Sequence, residues 1–223
     1  MGPNLRFFSV AFTLLAAVCV LAGARAESTD ESLRIYAVNI VRYPPQSWTG
    51  YGIYLGNGLV ITAAHVVGSA ARTKPRVRIA GLELPTQTIK EGSFEQVDLT
   101  LLSIDQARLP ISLQMRRMPL CRKPPFVGES VIVAIPEGTA RSRIISPLKI
   151  PPDLRARFST AIEDVATTGN SGSGVFDAAT KCLLGIMSGK FFNRDEAGTE
   201  HDIAKYFVPA GMIASFMPPE YRF

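Results

Sequence analysis

The chain has 223 residues, of which 47% are hydrophobic and 19% are charged. This composition excludes a disordered polymer, and the 18 glycines and 16 prolines follow no repeat, which excludes a collagen-like chain. The formal net charge of +5 comes with no run of lysine and arginine of the kind that contacts nucleic acid, so no nucleic-acid partner is expected.

The first 26 residues have the pattern of a cleaved signal peptide. Arg6 gives a short positive region, residues 7–23 form an apolar run, and Ala24-Arg25-Ala26 supplies small residues at the two positions that a signal peptidase recognises. A retained membrane anchor is the alternative, but the apolar run is at the lower limit for a membrane span. A lipoprotein signal at Cys19 is disfavoured because Val18 stands where a small residue is expected. We therefore expect an exported protein, periplasmic or secreted, with no stable membrane insertion after cleavage.

Cleavage would leave one pair of cysteines, Cys121 and Cys182. In an oxidising compartment an even pair indicates a disulfide bond. Two separately buried thiols are the alternative, because the sequence does not give the distance between them.

The mature chain is predicted to consist of short strands. Apolar, β-branched residues come in bursts separated by Gly, Pro and Asn, and Gly56-Asn57-Gly58 predicts a hairpin turn between two of them. About ten such strands with little helix favour closed or sandwiched antiparallel β structure. The predicted strands are 35–41, 52–55, 59–62, 76–80, 84–89, 98–104, 131–135, 143–150, 174–177, 183–187 and 206–208.

Only two stretches look helical, residues 63–67 and residues 210–217, the second beginning after Pro209 and stopping at Pro218-Pro219. The proline-containing stretch 109–125 is the expected divider between two halves. The predicted organisation is a signal peptide over residues 1–26, a first unit over 27–115 and a second over 116–223.

The strongest local signal is the segment from Thr167 to Phe176, which contains Gly169-Asn170-Ser171-Gly172-Ser173-Gly174. Glycines on both sides of Ser171 allow a tight turn and a close approach of a substrate carbonyl to the backbone. Such a turn can direct the N–H groups of Gly169 and Ser171 at one point, as an oxyanion hole requires. A flexible surface loop is the alternative.

A serine nucleophile needs a base, and the chain has only two histidines. His65 directly follows a predicted strand, where the chain leaves the sheet, whereas His201 lies among polar residues typical of a solvated loop. His65 is therefore the candidate base, although a histidine buried for packing would occupy a similar place.

The base must be oriented by an acceptor, usually a carboxylate. Asp98 stands at the start of the apolar strand Leu99-Thr100-Leu101-Leu102, between His65 and Ser171 in the sequence. Glu95 and Asp105 are competitors, but neither has this position, so Asp98 is the candidate acid.

These three motifs, Thr62-Ala63-Ala64-His65, Asp98-Leu99-Thr100-Leu101-Leu102 and Gly169-Asn170-Ser171-Gly172-Ser173-Gly174, resemble those of the chymotrypsin-like (trypsin-fold) serine proteases. They occur in that family's order, and their spacing resembles the compact bacterial branch, which includes periplasmic heat-shock proteases and glutamyl endopeptidases. The resemblance covers essentially the whole mature chain.

The resemblance implies an all-β fold of two antiparallel six-stranded β-barrels with a short C-terminal helix and the active site between the barrels. His65 would act as general base and acid, Asp98 would orient it, and Ser171 would be the nucleophile, with Gly169 and Ser171 donating the oxyanion-hole N–H groups. The chain would then be a serine endopeptidase with a polypeptide substrate. No cofactor or metal is expected, and a monomer is expected.

The resemblance also implies that Gly185-Ile186-Met187-Ser188-Gly189 is the strand that pairs with the substrate, with Ser188 near Asp98. Val165, Met187, Ser188 and Gly189 are the candidate substrate-binding residues. Cys121 and Cys182 resemble a cysteine pair in the second barrel of many members, which favours the disulfide.

Two other functions compete with that of a protease. An α/β-hydrolase is rejected because it requires Gly-x-Ser-x-Gly, a later histidine and crossover helices. A protease-like fold that only binds is the main alternative, since Ser173-Gly174 departs from the family's commoner sequence and Lys190 stands where a small residue is often found.

The resemblance places the floor of the primary pocket near Val165, which is not acidic, so a preference for Lys or Arg is not supported. Glu163 and Asp164 directly precede Val165, so an alignment shifted by one residue would reopen that preference. Met187 stands where the glutamyl endopeptidases have a histidine, so a preference for Glu is not supported either. Val165, Ala166 and Met187 together predict a preference for small or medium aliphatic side chains. Asn170 is neutral and cannot pair with a new N-terminus, so the chain is expected to be active without zymogen cleavage.

Overall fold

The computed structural model describes residues 30–42, 50–150, 152–155, 159–163, 170–194 and 200–222. The predicted signal peptide lies outside this range. Within it, every helix is too short or too polar to cross a lipid bilayer.

The described part of the chain folds into two antiparallel β-sheets with short helices between and after them. The strands are β1 (Ala37–Val41), β2 (Gly50–Gly56), β3 (Leu59–Thr62), β4 (Arg76–Ile79), β5 (Leu82–Pro85), β6 (Gln87–Glu91), β7 (Thr100–Ser103), β8 (Ser130–Ile135), β9 (Gly138–Arg143), β10 (Ala161–Glu163), β11 (Gly174–Asp177), β12 (Leu183–Arg194) and β13 (Glu200–Pro209). The α-helices are α1 (Ala64–Val67), α2 (Ala70–Thr73), α3 (Ile111–Gln114), α4 (Pro152–Arg155) and α5 (Ala210–Phe216), and 3₁₀ turns span Ser32–Tyr36, Gln106–Arg108, Pro147–Lys149 and Pro219–Tyr221.

The first sheet has seven strands in the order β5-β4-β1-β2-β3-β7-β6. Its two edge strands, β5 and β6, follow each other in the chain and are separated by Thr86 alone. One residue spans less than 4 Å, so the sheet has to curl until its opposite edges are neighbours. The result is a half-barrel.

The second sheet has six strands in the order β10-β13-β12-β11-β8-β9. Its edges also approach each other, since Ile144 forms an isolated bridge with Ile162 and the Ser142 hydroxyl donates to the Glu163 carbonyl at 2.9 Å. This sheet therefore curls into a second half-barrel.

Each half-barrel has its own apolar interior, and a third cluster lies between the two. Val38, Val60 and Leu102 belong to the first interior, and Val133 and Phe207 belong to the second. The cluster between them takes residues from both sheets, among them Ile53, Leu101, Ile132 and Phe176. Burial of this shared cluster fixes the orientation of one half-barrel against the other.

The predicted all-β fold of two antiparallel units with a short C-terminal helix is confirmed. The first sheet has seven strands instead of six because the predicted strand 84–89 is two strands, β5 and β6, interrupted next to Pro85. The predicted strand 143–150 is wrong. The strand ends at Arg143, and Ile144, Ile145 and Ile150 are buried from a loop that contains the 3₁₀ turn Pro147–Lys149.

A disulfide bond and two ion pairs join residues that are far apart in the sequence. Cys121 and Cys182 form a disulfide with their Cα atoms 5.1 Å apart, which confirms the predicted bond. Asp30, at the start of the described chain, is paired with Lys181 at 2.5 Å and with Arg141 at 2.7 Å. Burial alone would raise the pKa of the Asp30 carboxyl, but its hydrogen bonds from these two cations hold that pKa below the ordinary value.

Candidate active site

His65 and Asp98 meet at one end of the first half-barrel. His65 lies in the single turn of α1, directly after β3, and Asp98 lies just before β7, the strand that pairs with β3. The Nδ1 atom of His65 is 2.7 Å from Oδ2 of Asp98, and the backbone N–H of His65 donates to Oδ1 at 3.0 Å. This N–H belongs to the first turn of a helix and has no partner within the helix, so Asp98 both orients the ring and satisfies the helix end.

Asp98 is almost inaccessible to solvent, at 5% exposure. Its Oδ2 atom accepts a third hydrogen bond, from the hydroxyl of Ser188. Burial raises the pKa of Asp98, and the hydrogen bonds from His65 and Ser188 together outweigh that effect, so the net pKa lies below the ordinary value. The carboxylate is therefore ionised at neutral pH.

An ionised carboxylate is only an acceptor, so the proton of the neutral His65 ring must be on Nδ1. The Nε2 atom is then an acceptor and can take a proton from a neighbouring hydroxyl. The side chain is about one third exposed, and the ring of Phe94 packs edge-on against it with the ring centroids 5.7 Å apart. The imidazole is thus held on two sides and open to the solvent.

Ser188 reaches Asp98 because of an irregularity in β12. Met187 pairs with Phe207, and Gly189 pairs with Tyr206, the residue directly before Phe207 in β13. Ser188 is therefore an extra residue without a partner in the register. Such a β-bulge turns a side chain away from the regular alternation of the strand.

Ser171 also contacts Ser188. Its hydroxyl donates to the backbone carbonyl of Ser188 at 3.2 Å, while the Ser188 side chain holds Asp98. Within the described part of the chain, Ser171 and the His65 ring share no direct hydrogen bond; Ser188 and Asp98 connect them.

The turn that carries Ser171 is fixed to both half-barrels. The N–H of Tyr51 in the first sheet donates to the Ser171 carbonyl at 2.9 Å, and the N–H of Gly172 donates to the Met187 carbonyl at 2.7 Å. Gly172 has a φ of +87°, and a Cβ atom there would lie 1.8 Å from the Tyr51 oxygen. Only glycine fits this approach. The Tyr51 carbonyl also accepts from the Thr62 hydroxyl at 2.5 Å.

The backbone N–H of Ser171 donates no hydrogen bond to another of the described residues. The carbonyl of Asn170 accepts from the Ser173 N–H at 3.1 Å and from the Ser173 hydroxyl, which closes the turn. Burial raises the pKa of the Tyr51 phenol, against the effect of its hydrogen bond with Asn170. The second predicted donor of the oxyanion hole, Gly169, lies outside the described residues.

Of the predicted substrate-binding residues, Met187, Ser188 and Gly189 are described and follow one another in β12. The ring of Tyr206 covers Gly189 so closely that a Cβ atom there would be 2.5 Å from its hydroxyl. Val165, like Ala166, lies outside the described residues, and so does the side chain of His201.

The structure places Ser188 against Asp98, as the sequence predicts, but the sequence does not indicate three other residues that support the site. Phe94 and Tyr51 belong to no motif, and the motif that begins at Thr62 gives no sign of the contact between Thr62 and Tyr51. Phe94 packs on His65 from a loop, and the other two act through backbone atoms or a neighbouring strand. The sequence predicts a strand over 52–55, and since β2 begins at Gly50, Tyr51 lies outside the predicted bounds.

The arrangement offers a partly exposed imidazole with an oriented ring, a buried carboxylate, and a serine hydroxyl on a turn that is bonded to both half-barrels. These are the parts of a nucleophilic hydrolytic site.

Comparison with known proteins agrees with this architecture. A family model described as a trypsin-like peptidase domain matches residues 50–186. Similar solved structures include a protease from M. tuberculosis in its active form (18% identity, TM-score 0.57, 83% of this chain and 80% of that chain). A serine endoprotease from Yersinia pestis is also similar (19% identity, TM-score 0.58, 86% of this chain and 64% of that chain). The MamO protease domain from Magnetospirillum magneticum is similar as well (18% identity, TM-score 0.56, 83% of this chain and 97% of that chain). At these identities the likenesses show the fold. A search of curated proteins finds no match.

Proposed function

The chain belongs to the trypsin-like peptidase family, which makes it a serine endopeptidase by family, and from that premise we propose that it hydrolyses peptide bonds with Ser171 as nucleophile, His65 as base and Asp98 as the orienting acid. The observation that carries the proposal is the His65–Asp98 pair, with 2.7 Å between Nδ1 and Oδ2, next to a turn that holds Ser171.

In the first step, the Ser171 hydroxyl turns about its Cα–Cβ bond from the Ser188 carbonyl toward Nε2 of His65. Its oxygen attacks the substrate carbonyl carbon while its proton moves to Nε2. The negative charge on the carbonyl oxygen is stabilised by the N–H groups of Ser171 and Gly169.

In the second step, the C–N bond breaks and the His65 proton passes to the leaving amine, which gives an acyl-enzyme on Ser171. Water then loses a proton to His65 and attacks the acyl carbon, and the proton returns to the Ser171 oxygen as the carboxylic acid leaves. Asp98 stays ionised throughout and stabilises the imidazolium.

The proposal extends to the organisation of the chain. We expect a signal peptide over residues 1–26, a first unit over 27–115 that supplies His65 and Asp98, and a second over 116–223 that supplies Ser171. The exported location is supported by the Cys121–Cys182 disulfide, since such bonds persist in oxidising compartments. Activity without zymogen cleavage is supported by the neutral side chain of Asn170.

The test is labelling of the purified protein by a fluorophosphonate, which reacts with an activated serine. We expect labelling of the wild type to be lost in Ser171→Ala and reduced by about 10⁴-fold or more in His65→Ala. Ser215→Ala, at an exposed helix position, and His201→Ala, at the other histidine, are the matched controls and should label normally.

Circular dichroism must show that each variant is folded. A folded wild type that neither labels nor cleaves a denatured protein substrate would refute the proposed activity and favour a binding function for the fold.

A further inference from the structure

Lys205 is a buried charged residue that the proposed mechanism does not use. It lies in β13 and is only 6% exposed. Lysine is rarely buried to this extent unless its ammonium group is stabilised by a partner, because removing the charge from water is costly. Its position in an interior therefore calls for a function or a compensating contact.

The strand register shows which interior Lys205 enters. In the antiparallel pairs of β13, Lys205 stands opposite Ile162 on one side and Lys190 on the other. Ile162 and Phe207 belong to the interior cluster of the second half-barrel, together with Met187. Residues directly opposite each other, and residues two apart on one strand, point to the same face of a sheet. Lys205 thus extends into this interior beside Phe207, and Lys190 is on the same face.

This face adjoins the nucleophile. The Ser171 hydroxyl contacts the carbonyl of Ser188, and the Gly172 N–H contacts the carbonyl of Met187. Lys190 is two residues further along the same strand. When Ser171 attacks a peptide carbonyl, the side chain attached to that carbonyl's Cα atom lies within a few ångströms of Ser171. It therefore enters beside Met187, toward the end of the interior that holds Lys205.

Resting on the proposed function, we propose that Lys205 and Lys190 make this enzyme selective for an acidic residue, Glu or Asp, on the acyl side of the cleaved bond. The ammonium group of Lys205 hydrogen-bonds the substrate carboxylate in a site of low solvent access, where such contacts are strong. An ammonium group has three N–H donors, so a protein partner of Lys205 leaves donors for the substrate. Lys190, which is exposed, adds a weaker attraction at the mouth of the site.

This proposal opposes two sequence-based predictions, that a preference for Glu is not supported and that aliphatic side chains are preferred. Both predictions considered Val165, Ala166 and Met187 and did not include β13. The sequence offered no signal for Lys205, because its inward direction follows from the register of β13 against β10 and β12.

The test uses fluorogenic peptides that are identical except for the residue before the cut, which is Glu, Gln, Leu or Lys. Glu and Gln have nearly the same shape, so their ratio of kcat/KM isolates the charge. We expect the wild type to prefer Glu over Gln by at least about tenfold, as hydrogen bonds to charged groups allow. The ratio should fall to about one in Lys205→Met and by a few-fold in Lys190→Met, since exposed charges are screened.

Lys123→Met is the matched control, because Lys123 is exposed in the segment between the two sheets and should leave the ratio unchanged. Each variant is first labelled with fluorophosphonate. A folded wild type that is not labelled refutes the proposed function itself. Normal labelling with equal cleavage of the Glu and Gln peptides refutes only the acidic preference.

A wild type that prefers Leu or Lys peptides, or a labelled Lys205→Met variant that keeps the full Glu preference, likewise overturns the proposal. If Lys205→Met does not fold, the wild-type ratio and Lys190→Met decide the matter.

Discussion

Gly172 offers the sharpest test of how the two half-barrels hold the nucleophile. We predict that Gly172→Ala destabilises the protein far more than Gly128→Ala, although both glycines have nearly the same φ, +87° and +85°. A Cβ atom at Gly128 meets nothing within 4 Å, whereas one at Gly172 would lie 1.8 Å from the oxygen and 2.6 Å from the carbon of the Tyr51 carbonyl.

Both variants place an alanine at a positive φ, and this destabilisation is common to them. Only Gly172→Ala adds a steric overlap. Positive φ costs an alanine about 1–2 kcal/mol, and the reduced freedom of the unfolded chain returns about 0.4–1 kcal/mol, so Gly128→Ala should cost about 1 kcal/mol. At Gly172 the overlap adds about 1–3 kcal/mol. Separating the backbones also strains the hydrogen bonds from Tyr51 to Ser171 and from Gly172 to Met187, each worth about 1 kcal/mol. The expected total is about 4 kcal/mol.

Urea unfolding of the oxidised protein measures both values, and fluorophosphonate labelling measures the effect on Ser171. Gly172→Ala should lower the labelling rate even where the protein remains folded, and Gly128→Ala should not. A free energy of unfolding for Gly172→Ala within about 1 kcal/mol of that for Gly128→Ala would refute the idea that Gly172 and the Tyr51 carbonyl are held rigidly together.

Two further predictions concern buried carboxylates. Ser188→Ala removes one of the hydrogen bonds that keep Asp98 ionised, so we expect the pKa of Asp98 to rise and kcat/KM to fall by about tenfold, the scale of one hydrogen bond to a charged group; an unchanged pH–rate profile and rate would contradict this. Asp30→Asn removes the carboxylate that is paired with two cations. The pKa of Asp30 in the folded protein is below the ordinary value of 3.8. The ionised carboxylate therefore stabilises the fold above that pH, and this stabilisation is lost as the pH falls through the folded pKa. The urea midpoints of wild type and Asp30→Asn should therefore differ at pH 6 and converge toward pH 2, and a constant difference would count against the ion pairs.

The sequence was most informative where burial alternates along a strand or where glycine is required. The strand β11 was predicted with its exact bounds, because Gly174–Asp177 is a short apolar run after a glycine turn. The hairpin of β2 and β3 was found from Gly56-Asn57-Gly58, where all three residues have positive φ. Both signals are local, so they could be recognised without knowing the neighbours.

The strand β9 shows why other elements could not be predicted. Its sequence, Gly138–Arg143, has no large apolar residue, and it forms an edge of the second sheet with its side chains partly or fully exposed. Its one hydrophobic side chain, that of Ala140, packs against the interior of the second half-barrel, and a single such residue gives no apolar alternation. The neighbouring residues Ile144 and Ile145 are buried, and their β-branched side chains shift the predicted strand, 143–150, five to seven residues beyond the bounds of β9.

For the site, the sequence could indicate which residues belong together but not how they are arranged at rest. The order of His65, Asp98 and Ser171 follows from motifs, whereas the hydroxyl of Ser171 bonded to Ser188 depends on one side-chain torsion. No residue pattern specifies such a torsion, because staggered rotamers differ by little energy and the local environment selects among them.

The arrangement also explains why the site depends on the cluster between the two half-barrels. His65 and Asp98 belong to the first half-barrel and Ser171 and Ser188 to the second, and among the described residues no strand is shared by the two sheets. Their alignment rests on three short contacts, Tyr51 to Ser171, Ser188 to Asp98, and Gly172 against the Tyr51 carbonyl. These contacts keep their geometry only if the shared apolar cluster holds the sheets at a fixed angle. Because packed interiors resist small displacements, a change in that cluster far from the site should act on catalysis by misaligning the nucleophile, without touching any reacting group.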